Sequence, residues 1–320
     1  MRREAAFHRV ALAVLALVVP GFGARADEAF VTEQVGDGVS VLDLDRGEVA
    51  ARIPLGGRPA GVAVSPDGAT VYVTSTEGKF VSLIDARERR VRASIAIPDT
   101  PIGVAAAPDG RFIYVTGFFE PFVYKIDVET LSIVAKGRVG ASPSGVAVTP
   151  DGRLLAVAAR DDDALVLIDA ASLNLLATIP VGKHPFGVTI DAEGARAYAA
   201  NVESDDVSVV DLKAKAKVGQ APAGKRPYVV ALAGGRGFVT NQYEGTVSAF
   251  DLSTFAFAGK VAVGDYPEGL QASADGKLLY AVDWESNDVS VIDAEKLVVV
   301  RKIPVGDGPR AFGLFLRRTP

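Results

Sequence analysis

The stretch Gly182-Lys183-His184-Pro185-Phe186-Gly187-Val188 decides how the chain reads, because it is one of several copies. Its counterparts are GGRPAGV from Gly56, GASPSGV from Gly140, GKRPYVV from Gly224 and GDYPEGL from Gly264. Each is a turn closed by proline and followed by a short apolar run. The anchoring prolines are Pro59, Pro101, Pro143, Pro185, Pro227, Pro267 and Pro309, spaced by 42, 42, 42, 42, 40 and 42 residues. A period of that length marks an array of small units closing on one another.

Each unit carries four segments: a strand after the proline (AGVAV from Ala60), a YVT strand (Tyr72-Val73-Thr74), a VSLID strand (from Val81) and an alternating run (VRASIAI from Val91). All are rich in β-branched and aromatic residues and bounded by turn formers. The first hairpin is usually Pro-Asp-Gly, as at Pro66, Pro108 and Pro150; proline sets one corner, aspartate bonds the local backbone and glycine takes the strained end. The unit around Gly234-Gly235 lacks this phrase and is two residues shorter between Pro227 and Asp251. The strands end at Asp43, Asp85, Asp127, Asp169, Asp211, Asp251 and Asp293. One aspartate per unit is spread round a ring, which suits hairpin caps better than a calcium site needing convergent oxygens.

Four strands per unit of about 42 residues describe a β-propeller blade. Six full units lie between Pro59 and Pro309. One strand follows (310–317) and three precede (30–55), together a seventh blade. The fold expected is therefore all-β: a seven-bladed propeller with four antiparallel strands per blade, closed by a C-terminal innermost strand.

Residues 1–26 stand apart. Arg2, Arg3 and Arg9 precede the apolar run Val10–Val19, and Ala24-Arg25-Ala26 fits a cleavage site. This reads as a secretory signal peptide, leaving 27–320 as one exported domain, periplasmic or secreted. Without residues 1–26 the net charge moves from −5 to −8. That balance disfavours nucleic acid and anionic lipid. The absence of cysteine excludes thiol chemistry and Cys-x-x-Cys-His haem attachment, and the single remaining histidine excludes multi-imidazole metal sites.

Tyr72-Val-Thr-Ser, Phe238-Val-Thr-Asn241 and Tyr280-Ala-Val-Asp, each followed by a VSVID-like strand, resemble the YVTN-type β-propeller repeat over residues 30–317. The resemblance extends to YncE-like periplasmic propellers, to surface-layer propeller modules and to propellers encoded beside quinoprotein dehydrogenases. It implies the fold and says little of activity, since related repeats occur in lactonases as well.

In a propeller, the connection into each inner strand and the loop between its second and third strands share one face. Positions there that vary between units are the functional candidates. Before the prolines stand Arg58, Thr100, Ser142, His184, Arg226, Tyr266 and Gly308; after them Ala60, Ile102, Ser144, Phe186, Tyr228, Glu268 and Arg310. The second loops add Tyr243 and Trp284, with Phe118, Glu203 and Glu285 nearby. Phe186, Tyr228, Tyr243, Tyr266 and Trp284 are expected to form apolar walls, and Arg58, Arg226 and Arg310 to hold an anion. His184 and Glu268 are the weak acid–base candidates, since a lone loop histidine is more often inert.

The expected function is a non-catalytic binding or interaction scaffold, monomeric, without metal or cofactor, taking a periplasmic protein or small anionic ligand on the rim. A lactonase-like hydrolase or lyase, and an accessory factor of a quinoprotein or other redox system, are the alternatives.

Overall fold

A computed structural model describes residues 27–317. The signal-peptide reading falls on residues 1–26, outside the described range. The chain forms seven antiparallel sheets arranged as blades. Blade 1 runs through Pro59–Val64, Thr70–Ser75, Phe80–Asp85 and Arg90–Ala96 from inner to outer strand. Blades 2 to 6 repeat that order from Pro101, Pro143, Pro185, Pro227 and Pro267. Blade 7 combines residues 316–317 with Glu28–Glu33, Gly38–Asp43 and Glu48–Pro54.

Burial follows from stacking blade on blade. The second strands are covered on both faces, so Thr70–Ser75 is buried at every position, its threonine and serine hydroxyls included. The outer strands are covered on one face at most and stay largely exposed, as at Arg90–Ala96. The core is thus a set of clusters each spanning neighbouring blades, such as Ile84 and Val73 of blade 1 with Val39 and Phe30 of blade 7 and Val282 of blade 6.

A backbone device joins the blades near the axis. In five of the seven units the residue two after the anchoring proline is a glycine that presses on the next blade: a Cβ would lie 2.3 Å from Ser144 O at Gly103, 2.4 Å from Phe186 O at Gly145 and 2.3 Å from Tyr228 O at Gly187, while Val229 and Ala311 stand at this place in the other two. The threonine of the YVT strand completes the joint. Thr116 Oγ1 accepts from Gly103 N at 2.9 Å and donates to Ser144 O at 2.6 Å. Thr74 repeats this with Gly61 N and Ile102 O, and Thr240 with Val229 N and Glu268 O. Ala158, Ala200 and Val282 replace it in blades 3, 4 and 6.

The strand-ending aspartates cap the next hairpin. Asp85 accepts from Arg87 N and Glu88 N, Asp169 from Ala171 N and Ser172 N, Asp293 from Glu295 N and Lys296 N. These bonds favour the anion, and with the Ser253 and Thr254 hydroxyls they hold Asp251 at about 2. The short unit turns through Gly234 and Gly235, both at positive φ (56° and 76°), a two-residue hairpin in place of Pro-Asp-Gly.

Closure departs in one detail from a single innermost strand over 310–317. Arg310 N and Phe315 O bond Thr32 and Phe30 of blade 7, and residues 316–317 pair with Glu28 and Ala29. Phe312–Leu314 between them instead pairs in parallel with the inner strand of blade 1. The cause is visible in the chain: here the glycine is displaced, so Ala311 stands two residues after Pro309 and Gly313 four. Gly313 takes φ 133° and meets Val62 O, where a Cβ would lie at 2.2 Å. Arg317 then locks the clasp, bonding Glu28 Oε2 at 2.5 Å and Gly68 O at 2.7 Å, with Arg89 on the other oxygen of Glu28 at 2.8 Å.

Thr116→Val keeps the shape but strands Gly103 N and Ser144 O in the interior. It should lower unfolding free energy by roughly 2–4 kcal/mol, since an unsatisfied buried group costs about 1–3 kcal/mol. Urea denaturation measures this; an unchanged midpoint would show that the joint adds nothing.

Candidate functional site

The face where each outer strand hands over to the next inner strand carries the variable positions. In six of the seven units, Thr100 being the exception, the chain turns inward through the left-handed region at the pre-proline residue: φ is 55° at Arg58, 50° at His184, and 53° at Arg226 and Tyr266. Side chains one blade back hold these turns. Asp37 Oδ1 accepts from Arg58 N at 2.8 Å, Asp163 Oδ1 from His184 N at 2.8 Å and Asp205 Oδ1 from Arg226 N at 3.0 Å. The acidic loop tips at Asp163 and Asp205 are therefore caps. No group of three or more potential metal ligands exists among the described residues.

The post-proline residues meet one another. Phe186 stacks on Tyr228 at 4.3 Å between centroids and lies 4.9 Å from Phe312. Ile102, from blade 2, packs against the same cluster. Side chains from opposite sides of the ring thus stop its centre. Beside this plug is a buried polar network. Arg310 grips Glu268 through Nε at 2.5 Å and Nη2 at 3.2 Å, and Nη2 also donates to Tyr228 Oη at 2.6 Å. Gln242 Nε2 donates to the Glu268 Oε1 at 2.8 Å. Burial pushes the Glu268 carboxyl up, against the pull of Arg310 and Gln242 on its anion. Burial likewise raises the Tyr228 phenol.

A second tier lies further out. Arg226 sits over the Tyr243 ring at 4.7 Å, Tyr243 lies 5.4 Å from Tyr266, and Tyr266 6.2 Å from Trp284. These four side chains, from the connections into blades 5 and 6 and the second loops of the same two blades, make one continuous ladder. Tyr243 is 57% exposed and the others are half-buried, so the ladder is presented to solvent. Loss of solvation, then Tyr243 and Glu285, raise the Tyr266 phenol.

The remaining candidates form separate pairs. His184 Nδ1 stands 2.9 Å from Glu203 Oε1, at an angle that makes no linear hydrogen bond. Arg58 meets Glu77 at 3.3 Å. Phe118 packs edge-on against the exposed Phe119 at 5.4 Å. The structure therefore does not gather all nine binding candidates in one place. Phe186, Tyr228 and Arg310 belong to the buried tier; Arg226, Tyr243, Tyr266 and Trp284 form the rim ladder; Arg58 and His184 stand apart from it. Arg310 is committed to Glu268, so an incoming anion would have to displace a carboxylate. Gln242 and Phe312 complete the inner tier, and sequence reading missed both. The displaced glycine at 313 was the available signal for Phe312; for Gln242 it was its place beside Tyr243 in a second loop of the candidate face. A polar cleft of about 400 Å³ opens elsewhere, against Glu28, Asp43, Arg46 and Arg89, but its charges pair among themselves.

Comparison with known proteins agrees with the fold. The chain is a seven-bladed β-propeller. The cytochrome D1 heme domain family matches residues 89–219, less than half of the chain. Among solved structures, Kuenenia stuttgartiensis hydrazine synthase is 22% identical with a TM-score of 0.71, over 78% of this chain and 87% of that one. A functionally unknown protein from Desulfotomaculum acetoxidans is 17% identical with a TM-score of 0.78, over 89% and 98%. The dihydro-heme d1 dehydrogenase NirN in complex with DHE is 20% identical with a TM-score of 0.69, over 91% of this chain and 66% of that one. At these identities the likeness is one of fold. No curated protein matches the sequence. No helix among the described residues is long and apolar enough to cross a membrane.

Truncating Glu268 leaves the Arg310 guanidinium buried without its counter-ion. Glu268→Ala should cost roughly 3–5 kcal/mol in chemical denaturation, the range for breaking a buried pair. Replacing both partners together, as Glu268→Leu with Arg310→Met, should recover most of the loss. A double variant no better than the single would refute the pair as the cause.

Proposed function

We propose that this chain is an exported, periplasmic propeller of the YVTN type that binds a planar, anionic ligand on the rim of blades 5 and 6. The observation that carries the reading is the ladder Arg226–Tyr243–Tyr266–Trp284, open to solvent beside a plugged ring centre. Aromatic faces stack on a flat π-system, and a guanidinium supplies the charge and fork that a carboxylate requires. The leader-like residues 1–26 support export. The partial match to the cytochrome D1 heme domain and the fold likeness to NirN support service to a redox system, with the protein holding a cofactor-like ligand for another component.

Trp284 is the only tryptophan in the chain, so its fluorescence reports binding directly. Titration with a carboxylated tetrapyrrole and with a tricarboxylated quinone should give saturable quenching by one of them. Arg226→Ala and Tyr266→Ala should weaken that binding about tenfold each, the size of a lost cation–π or stacking contact at a desolvated site. Quenching that never saturates, or that both variants leave unchanged, sinks the proposal.

A second reading rests on the 2.9 Å approach of His184 Nδ1 to Glu203 Oε1, which places an imidazole beside a carboxylate that a small rotation would bring into line. It requires turnover of a lactone or ester panel that disappears in His184→Ala; a panel left untouched by the wild type removes it.

A further inference from the structure

One position recurs at the end of every second strand, facing the first residue of the third. In blade 4 it is Asn201, which donates Nδ2 to Asp206 Oδ1 at 2.5 Å and to Ser208 Oγ at 2.9 Å. In blade 5 it is Asn241, which donates Nδ2 to Thr246 Oγ1 at 3.0 Å and to Ser248 Oγ at 2.7 Å. In blade 6 the corresponding residues are Asp283 and Asp288, directly paired across the strands. The amide that donates in blades 4 and 5 has become a carboxyl, and it faces another carboxyl.

The other oxygens of this pair are accounted for. Ser290 Oγ donates to Asp283 Oδ2 at 2.6 Å, and Lys302 Nζ donates to Asp288 Oδ2 at 3.3 Å. The inner atoms, Asp283 Oδ1 and Asp288 Oδ1, are buried without a donor. Two adjacent acceptors, both shut off from water, lack one hydrogen between them. Asp288 has the cation beside it and keeps 15% of its side chain exposed, whereas Asp283 is fully buried. Asp283 is therefore the better seat for that hydrogen.

The pair stands at the root of the rim ladder. Asp283 immediately precedes Trp284, and its carboxyl packs on Gly264, two residues before Tyr266. Trp284 N bonds Tyr266 O at 3.0 Å, and Ser286 Oγ accepts from Asp265 N at 2.7 Å. The two loops thus bond to each other beside Asp283, which leads into one and packs on the other. We propose that Asp283 and Asp288 share a single proton, and that this proton latches together the two loops carrying Tyr266 and Trp284.

Loss of the proton to water leaves two carboxylates in contact, with one lysine between them and solvent. The charged and titratable groups on the surrounding elements are Lys302 on the adjoining outer strand, Asp265 and Tyr266 on the loop from blade 5, Glu285 on the pair's own loop and Asp307 on the loop to blade 7. Lys302 is the cation in contact, and it favours ionisation. Burial of Asp283 and the Asp288 charge outweigh it, lifting the Asp283 carboxyl to about 8. A folded-state value above the unfolded one means that the contribution is complete below about pH 4 and is lost as the pH rises through about 8. A calcium ion is a poorer occupant than a proton, because it needs six or more oxygens and Lys302 already takes one.

The test needs no ligand, so its failure leaves the binding proposal standing, and failure of binding leaves the latch standing. Trp284 fluorescence is followed from pH 6 to 9 in wild type and Asp283→Asn. Tyr266 ionises above its ordinary value of 10 and does not intrude. Wild type should show a one-proton transition near pH 8, absent from Asp283→Asn, which restores the donor of blades 4 and 5. Between pH 5 and 8 the unfolding constant of wild type should rise relative to that of the variant by up to tenfold per pH unit. Ser290→Ala, which leaves both carboxyls, should keep a transition. A transition retained in Asp283→Asn, a flat wild-type profile, or a transition abolished by millimolar Ca²⁺ at constant pH overturns the proposal.

Discussion

Everything in this molecule depends on one close approach: the backbone of each inner strand lies against a carbonyl of the next blade. At 61, 103, 145, 187 and 269 a Cβ would collide with that carbonyl, and glycine stands there; Val229 and Ala311 are the exceptions. Where threonine is present on the second strand, its hydroxyl spans the gap, satisfying an amide of its own blade and a carbonyl of the neighbour. The contact fixes the distance between blades at the axis, and that spacing decides how the apolar faces further out interlock. The conserved-looking phrase of the repeat is thus a tolerance on spacing, and the chemistry is left to its neighbours.

The same geometry sorts the variable residues into two environments. A side chain directly after the proline enters the crowded centre and must find a partner there; hence Phe186 on Tyr228 and Glu268 on Arg310. A side chain directly before the proline sits on a left-handed turn at the rim and remains accessible, as Arg226 and Tyr266 do. Two adjacent positions in sequence therefore have opposite fates. The buried one stabilises the ring and the outer one is free to recognise something.

Much of the fold was legible because it is local physics repeated seven times. The period, the aspartate caps and the shortened Gly234-Gly235 hairpin follow from turn chemistry and spacing, and the structure has all three. The clasp was legible from the leftover strands at each end, but not its detour to blade 1, which hangs on a glycine moved by two residues. The site was legible only as a face. Which of its residues touch depends on contacts across the ring, between units that sequence reading treats as equivalent. Asp283 was visible as the end of Tyr280-Ala-Val-Asp, yet its meaning comes from Asp288 opposite and from the asparagines that fill its place in two sister blades.

The clasp also bears on the order in which the molecule can assemble. Its hydrogen bonds join Arg317 to Glu28 across 289 positions, and Ala311 to Thr32 across 279. The four strands of every other blade come from residues a few dozen positions apart, and only Phe312–Leu314 adds a distant pairing, to blade 1. The chain must therefore bring its two extremities together before blade 7 exists, and such distant pairings are the slowest to form. Arg310 and Phe312, which complete the polar network and the central plug, arrive in that same event. An open crescent of six blades would have neither a stopped centre nor a paired Glu268. Ring closure and maturation of the centre are consequently one step, and a half-closed propeller has no finished interior.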